Sequence, residues 1–375
     1  MGGYPSTNIP PLAQQLLPQL KSALRESILQ SLNSHNVLDP VILHDLILAD
    51  LRTQGAALPD SGQNFADNAN FERFGSLEDV QVQQPTRHPD LLAVVIRLGI
   101  PCGSDSSLNI YRRLGARWEL LMVKESNDYT DVSGGQGSFE FAVSPPDEDG
   151  NWFVVTANVN PWCSSNWQML RYQVLRPPSG PGDQPLEILT EKTGIYMGND
   201  KLYTLTIQKN GFAITNEDSQ SLDSGILIRT HIHKYRVEAN SVTRIPPLAL
   251  APEDFLDEWI GLKWEEASRW VLSSDISGVQ EWQVLLHRGE EGGREFYTEF
   301  DFVQPCPASG HDLRWQIGLN LEGSGEAQLP EDLPDELFIT VVKQGAAYYL
   351  ESLTTHRAPG CPGNAQAQGA RDLLR

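Results

Sequence analysis

Positive charge is scarce in this chain. Lys and Arg total 28 against 49 Asp and Glu, for a formal net charge of -21 and a pI near 4.7. A field of that sign repels phosphate backbones, so nucleic acid is excluded as the expected partner. Long apolar runs are missing too: no stretch reaches the about 18 apolar residues that a membrane-spanning helix needs. The first residues, Met1-Gly2-Gly3-Tyr4-Pro5, carry neither the basic nor the apolar segment of a secretory leader. Cysteine is sparse, with four in all and no C-x2-C pair, which excludes the usual spacing of a zinc finger. No G-x-S-x-G elbow occurs. The glycine-rich segment around Gly134, Gly135 and Gly137 has no lysine and leads into a β-rich run, so it is not a phosphate loop.

What the chain does have is one phrase, repeated. Leu108 to Leu121, Leu202 to Ile214 and Glu336 to Leu350 each alternate apolar and polar residues around a glycine-containing turn. That is the strongest short-range hairpin signal a sequence gives. The fold class is therefore mainly antiparallel β. Residues 1–60 read as an N-terminal helical segment: Leu12, Leu16, Leu17, Leu20, Leu24 and Ile28 share one helix face, and Asp39-Pro40 opens a second helix. Residues 66–247 read as an antiparallel β domain of about ten short strands, a sandwich or a propeller-like stack of small sheets. Residues 251–357 read as an α+β domain. Here Ala251 to Trp270 is expected as one helix, packing on strands that include Trp282 to His287. Residues 358–375 form a Pro/Gly-rich tail. Acidic charge concentrates late, with 21 Asp and Glu against 7 Lys and Arg between Ala251 and Arg357.

All four cysteines sit at Pro/Gly/Ser-rich loop ends, two in each of the larger domains. The expected bridges are Cys102–Cys163 and Cys306–Cys361, which places the protein in a periplasmic or secreted compartment. A cytoplasmic protein with four thiols is the alternative.

Three groups of residues carry candidate chemistry. The run Gly225-(x5)-His231-x-His233-(x4)-Glu238 resembles the first metal motif of the cupins, although Ile245 stands where that motif has its last glycine. The resemblance implies a metal bound by His231, His233 and Glu238. On a strand, the two histidines and Tyr235 share one face and Arg236 takes the other. Glu238 falls in a turn of opposite parity, so the imidazoles are expected to stand without a third protein ligand. Asp147, Asp149 and Asn151 alternate beside Gly150 as calcium ligands do, and they also make a good hairpin turn. Trp152, Trp162 and Trp167 lie within 16 residues, and loop-end indoles stack on sugars or anchor partner proteins.

The functional expectation is a non-enzymatic, extracytoplasmic binding protein. Its partner would be a carbohydrate, a peptide or another protein, met by aromatic loops on a β scaffold, with no cofactor other than calcium. The alternative is a metal-dependent enzyme of cupin-like type.

Overall fold

In a computed structural model of the chain, the residues described are 10–35, 37–54, 75–100, 103–125, 133–134, 139–159, 167–178, 180, 184–196, 202–222, 225–290, 296–307, 313–323 and 333–361. Two compact units emerge, one of residues 1–228 with 235–243, the other of residues 229–234 with 244–375. No described helix is long and apolar enough to cross a membrane.

The first unit begins with helices α1 (Pro11–Ser34) and α2 (Pro40–Thr53). Asp39 caps α2 as its sequence predicts: one carboxylate oxygen accepts from the backbone N–H of Val41 and Ile42, and Pro40 spends no donor in the first turn. The apolar stripes of both helices cover one face of a sheet ordered β1 (Ser76–Gln83), β2 (Leu91–Ile100), β3 (Gly103–Leu114) and β4 (Arg117–Lys124), with short β5 (Ser133–Gly134) beside β3. Its other face packs on a second sheet: β6 (Phe139–Val143), β7 (Val154–Val159), β8 (Trp167–Arg176) and β9 (Leu186–Tyr196). That sheet in turn packs on Tyr203, Phe212, Ile214, Tyr235 and Val237 of a third, ordered β10 (Tyr203–Gln208), β11 (Gly211–Leu222), β12 (Gly225–Val237) and β13 (Val242–Arg244).

This layering explains the sequence of β7, which is buried at every position, and of β2, buried at all but Arg97. A strand covered on both faces gains from apolar residues at every position, whereas a half-exposed one alternates. The observed arrangement is thus a stack of three antiparallel sheets, the first of five strands and the others of four. The hairpin glycines do what the turns require: Gly115 between β3 and β4 has φ 63°, a conformation that costs glycine nothing. Strand β1 was not among the sequence-predicted strands, because Ser76-Leu-Glu-Asp-Val-Gln has too few apolar residues to declare itself.

In the second unit, α3 (Pro252–Gly261), α4 (Trp264–Ala267) and α5 (Ile276–Glu290) cover a sheet ordered β14 (Phe296–Cys306), β15 (Leu313–Gly323), β16 (Glu336–Gln344) and β17 (Ala347–Thr354). Trp259 is fully buried in this core, its indole N–H donating to the Ala267 carbonyl at 3.0 Å. Two expectations are corrected. The single helix from Ala251 to Trp270 breaks at Leu262 and Lys263, both extended. The carbonyls freed there are taken up by α5: Gln283 Nε2 donates to Leu262 O at 2.6 Å and Ile260 O at 3.3 Å, and the His287 ring bonds Ile260 O at 3.1 Å. Trp282 to His287 is helical, not extended. Val279, Gln283 and Leu286 recur at helical spacing and are buried, and that period overrides the apparent alternation. Cys306 and Cys361 are joined by a disulfide, as expected. Cys102 and Cys163 lie outside the described residues.

Candidate functional site

A strand of period two here meets a helix of period 3.6. Arg229, His231 and His233 project from one face of β12, as parity requires, while Lys234 and Arg236 are exposed. Facing them is the acidic edge of α3, where Asp254, Asp257 and Glu258 fall three and four residues apart. Arg229 pairs with Asp257 at 2.9 Å and Asp254 at 3.9 Å, and its guanidinium lies over the Phe300 ring at 4.7 Å. His231 Nδ1 donates to Glu258 Oε1 at 2.5 Å, and His233 Nε2 stands 3.8 Å from that same oxygen. The two imidazoles are stacked, 9° from parallel, with centroids 6.1 Å apart. The other oxygen, Glu258 Oε2, accepts from Arg244 Nη2 at 2.6 Å, and Arg244 also donates to the Ile232 carbonyl at 3.1 Å.

These groups are enclosed. The side chains of His231, His233, Glu258 and Arg244 are 13%, 6%, 7% and 5% exposed. Burial pushes His233 down to about 3, with Arg244 and His231 adding to the shift, so its ring is neutral at physiological pH. Burial alone would raise Glu258, but Arg244 and the bond from His231 outweigh it and hold the carboxyl well below the usual range. Asp254 goes the other way: desolvation outweighs Arg229 and lifts it to about 6. Glu266 of α4 is also raised by burial, against the pull of Arg244 and Arg269, and its Oε1 is buried with no hydrogen-bond partner among the described residues.

The structure thus separates the expected metal set. The histidines share a face as expected. Glu238 does not join them: it follows the end of β12, is exposed, and accepts from Ser241 Oγ at 3.5 Å. The expectation that no third group converges is overturned by Glu258, and His231, His233 and Glu258 keep their donor atoms within 4.8 Å of one another. Sequence reasoning missed Glu258 because its histidine partner lies 27 residues away, and no local period links the two. The available signal was a charged residue at a position, beside Trp259, that helical spacing buries.

The other candidates are dispersed. Asp147 Oδ1 accepts from the backbone N–H of Asp149 at 2.9 Å and Asn151 at 2.8 Å, while Oδ2 accepts from the Asn151 amide at 3.3 Å. Gly150, at φ 81°, completes the turn. Asp147 therefore closes its own hairpin, and the carboxylate spends its lone pairs on that loop. Trp152 precedes β7 and Trp167 opens β8. Because β7 and β8 are antiparallel, with Val154 opposite Leu175 and Val159 opposite Leu170, these two residues belong to opposite ends of the sheet. Trp152 packs edge-on against His88 at 5.4 Å, and its carbonyl accepts from Arg176 at 3.1 Å. Trp162 lies outside the described residues, as does the Trp167 side chain.

No known family matches the chain, and no curated protein matches it. Two solved structures show low similarity. One, a BT0996 complex with RGII, is 7% identical, with 75% of this protein and 74% of that one covered at a TM-score of 0.24. The other, an NTF2-like protein involved in plasmid conjugation, is 12% identical, with 61% and 79% covered at a TM-score of 0.17. Likenesses at these scores carry no argument about what this chain does.

Proposed function

We propose that the chain is a non-enzymatic, extracytoplasmic binding protein that presents aromatic loops on its β scaffold. The observation that carries this reading is the closure of the cluster around Glu258. A catalytic metal or acid–base site keeps a position open to substrate, whereas Glu258 is enclosed, with one oxygen engaged by Arg244 and the other by His231. The Cys306–Cys361 disulfide supports an oxidising compartment. With Trp152 held by His88, the proposed ligand platform narrows to the segment joining β7 to β8, which carries Trp162 and ends at Trp167. The ligand would be a carbohydrate, a peptide or a protein surface.

Arrays of glycans and peptides probed with the full chain test this. Binding that survives Trp152→Ala and is lost in Trp162→Ala is the expected outcome. Absence of any bound class, or turnover of an arrayed compound that depends on His231, would overturn the reading.

A further inference from the structure

We propose that His231, His233 and Glu258 form a binding site for one zinc ion, a buried structural site independent of the ligand-binding role. Two imidazole nitrogens and one carboxylate oxygen are a donor set suited to zinc. The three donor atoms already lie within 4.8 Å of one another. A tetrahedral ion bonds each donor at about 2.0–2.2 Å, which places donors roughly 3.5 Å apart. The 3.8 Å between His233 Nε2 and Glu258 Oε1 is close to that value. The 2.5 Å between His231 Nδ1 and Glu258 Oε1 must widen by about 1 Å.

Arg244 sits where a supporting partner belongs. It holds Glu258 Oε2 and thereby aims Oε1 at the imidazoles, as groups behind metal ligands commonly do. Zinc at His231 Nδ1 displaces the ring proton now shared with Glu258. That proton moves to Nε2 of the same ring, so the imidazole enters the site neutral. His231 is the most exposed member at 13% and marks the way in.

Further carboxylates flank the cluster, with Arg229 paired to two of them. Asp254 and Asp257 stand on the same helix edge as Glu258, and Glu266 acts electrostatically on both Arg244 and Glu258. The Oε1 atom of Glu266 is a buried oxygen left without a hydrogen-bond partner among the described residues. The three protein donors leave a fourth position for one water on the side of His231, and the ion's effect is to tie β12 to α3 within the second unit.

The test uses tag-free full-length protein, stripped with a chelator, given a small excess of zinc and desalted. Elemental analysis should find one zinc per chain in the wild type and in Glu238→Gln, with the thermal midpoint raised by zinc. His231→Asn, chosen because its side chain is the least buried of the three, should lose both the ion and the shift. No retained zinc in the wild type, or equal zinc in His231→Asn, would overturn the proposal. X-ray absorption on zinc-loaded wild type keeps the test decisive if the variant does not fold. Two imidazoles plus oxygen donors are expected, and a sulfur or all-oxygen shell contradicts the site.

Discussion

The molecule buries carboxylates in two ways. In the first unit, Asp105 of β3 meets Lys21 of α1 at 2.7 Å, with both side chains essentially removed from water. Lys21 interrupts a stripe of Leu17, Leu24 and Ile28, so one ammonium stands on a mostly apolar helix face. In the second unit, Glu258 shares its charge with Arg244 and His231, and Arg244 has a further anchor in the Ile232 carbonyl. Removing one member of a buried Lys–Asp pair strands the other charge, whereas a carboxylate shared by several donors keeps some of them when one is lost. The difference is one of tolerance, and it is measurable.

The largest effect is expected at the pair. Asp105→Ala leaves the Lys21 ammonium buried and should cost about 3–5 kcal/mol in denaturant unfolding. Replacing both partners, as Lys21→Met with Asp105→Leu, should recover most of that loss, because an apolar pair carries no desolvation penalty. A double variant as unstable as Asp105→Ala would contradict the desolvation cost assigned to the pair. Glu258→Gln comes next, at about 1.5–3 kcal/mol, since the amide retains an acceptor for Arg244 and Arg244 retains Ile232. A loss equal to that of Asp105→Ala would erase the distinction between pair and network. Smallest is Asp39→Ala, which removes the cap of α2 and should cost about 1 kcal/mol in the same assay.

Asp39 and Asp147 also show what was legible in the sequence. Each bonds backbone two to four residues away, so a local pattern suffices to place it: Asp-Pro before a helix, Asp-Glu-Asp-Gly-Asn between strands. The hairpins of β3–β4, β10–β11 and β16–β17 were legible for the same reason, and so was Cys306–Cys361, from loop chemistry. Glu258 and Asp105 meet partners 27 and 84 residues away, and no local period records such pairings. The Trp282 segment failed differently: six residues with apolar positions at both spacings fit a strand or a buried helix, and tertiary burial of Val279 and Leu286 decided it.

Acid sensitivity separates the members of the second cluster. His233, pushed down to about 3, takes up a proton on unfolding at any pH between that value and its ordinary 6.5. Its contribution is therefore complete above 6.5 and is lost progressively as pH falls through that window. Asp254, raised to about 6 from 3.8, has the opposite sign: its contribution is present at low pH and fades as pH rises between those values. Asp254→Asn should accordingly steepen the acid-side loss of stability measured by denaturant titration. A flatter acid limb in that variant would contradict the burial assigned to Asp254.

The closed state of the Glu258 cluster carries the functional reading, and the ring signals of His233 test it most directly. In metal-free protein, an NMR titration should leave His233 neutral through the physiological range, with a midpoint near 3 where the fold survives to that pH. A midpoint at the ordinary 6.5 would mean that water reaches the imidazole and that the cluster is open, which contradicts the enclosure of Glu258 and the binding role inferred from it.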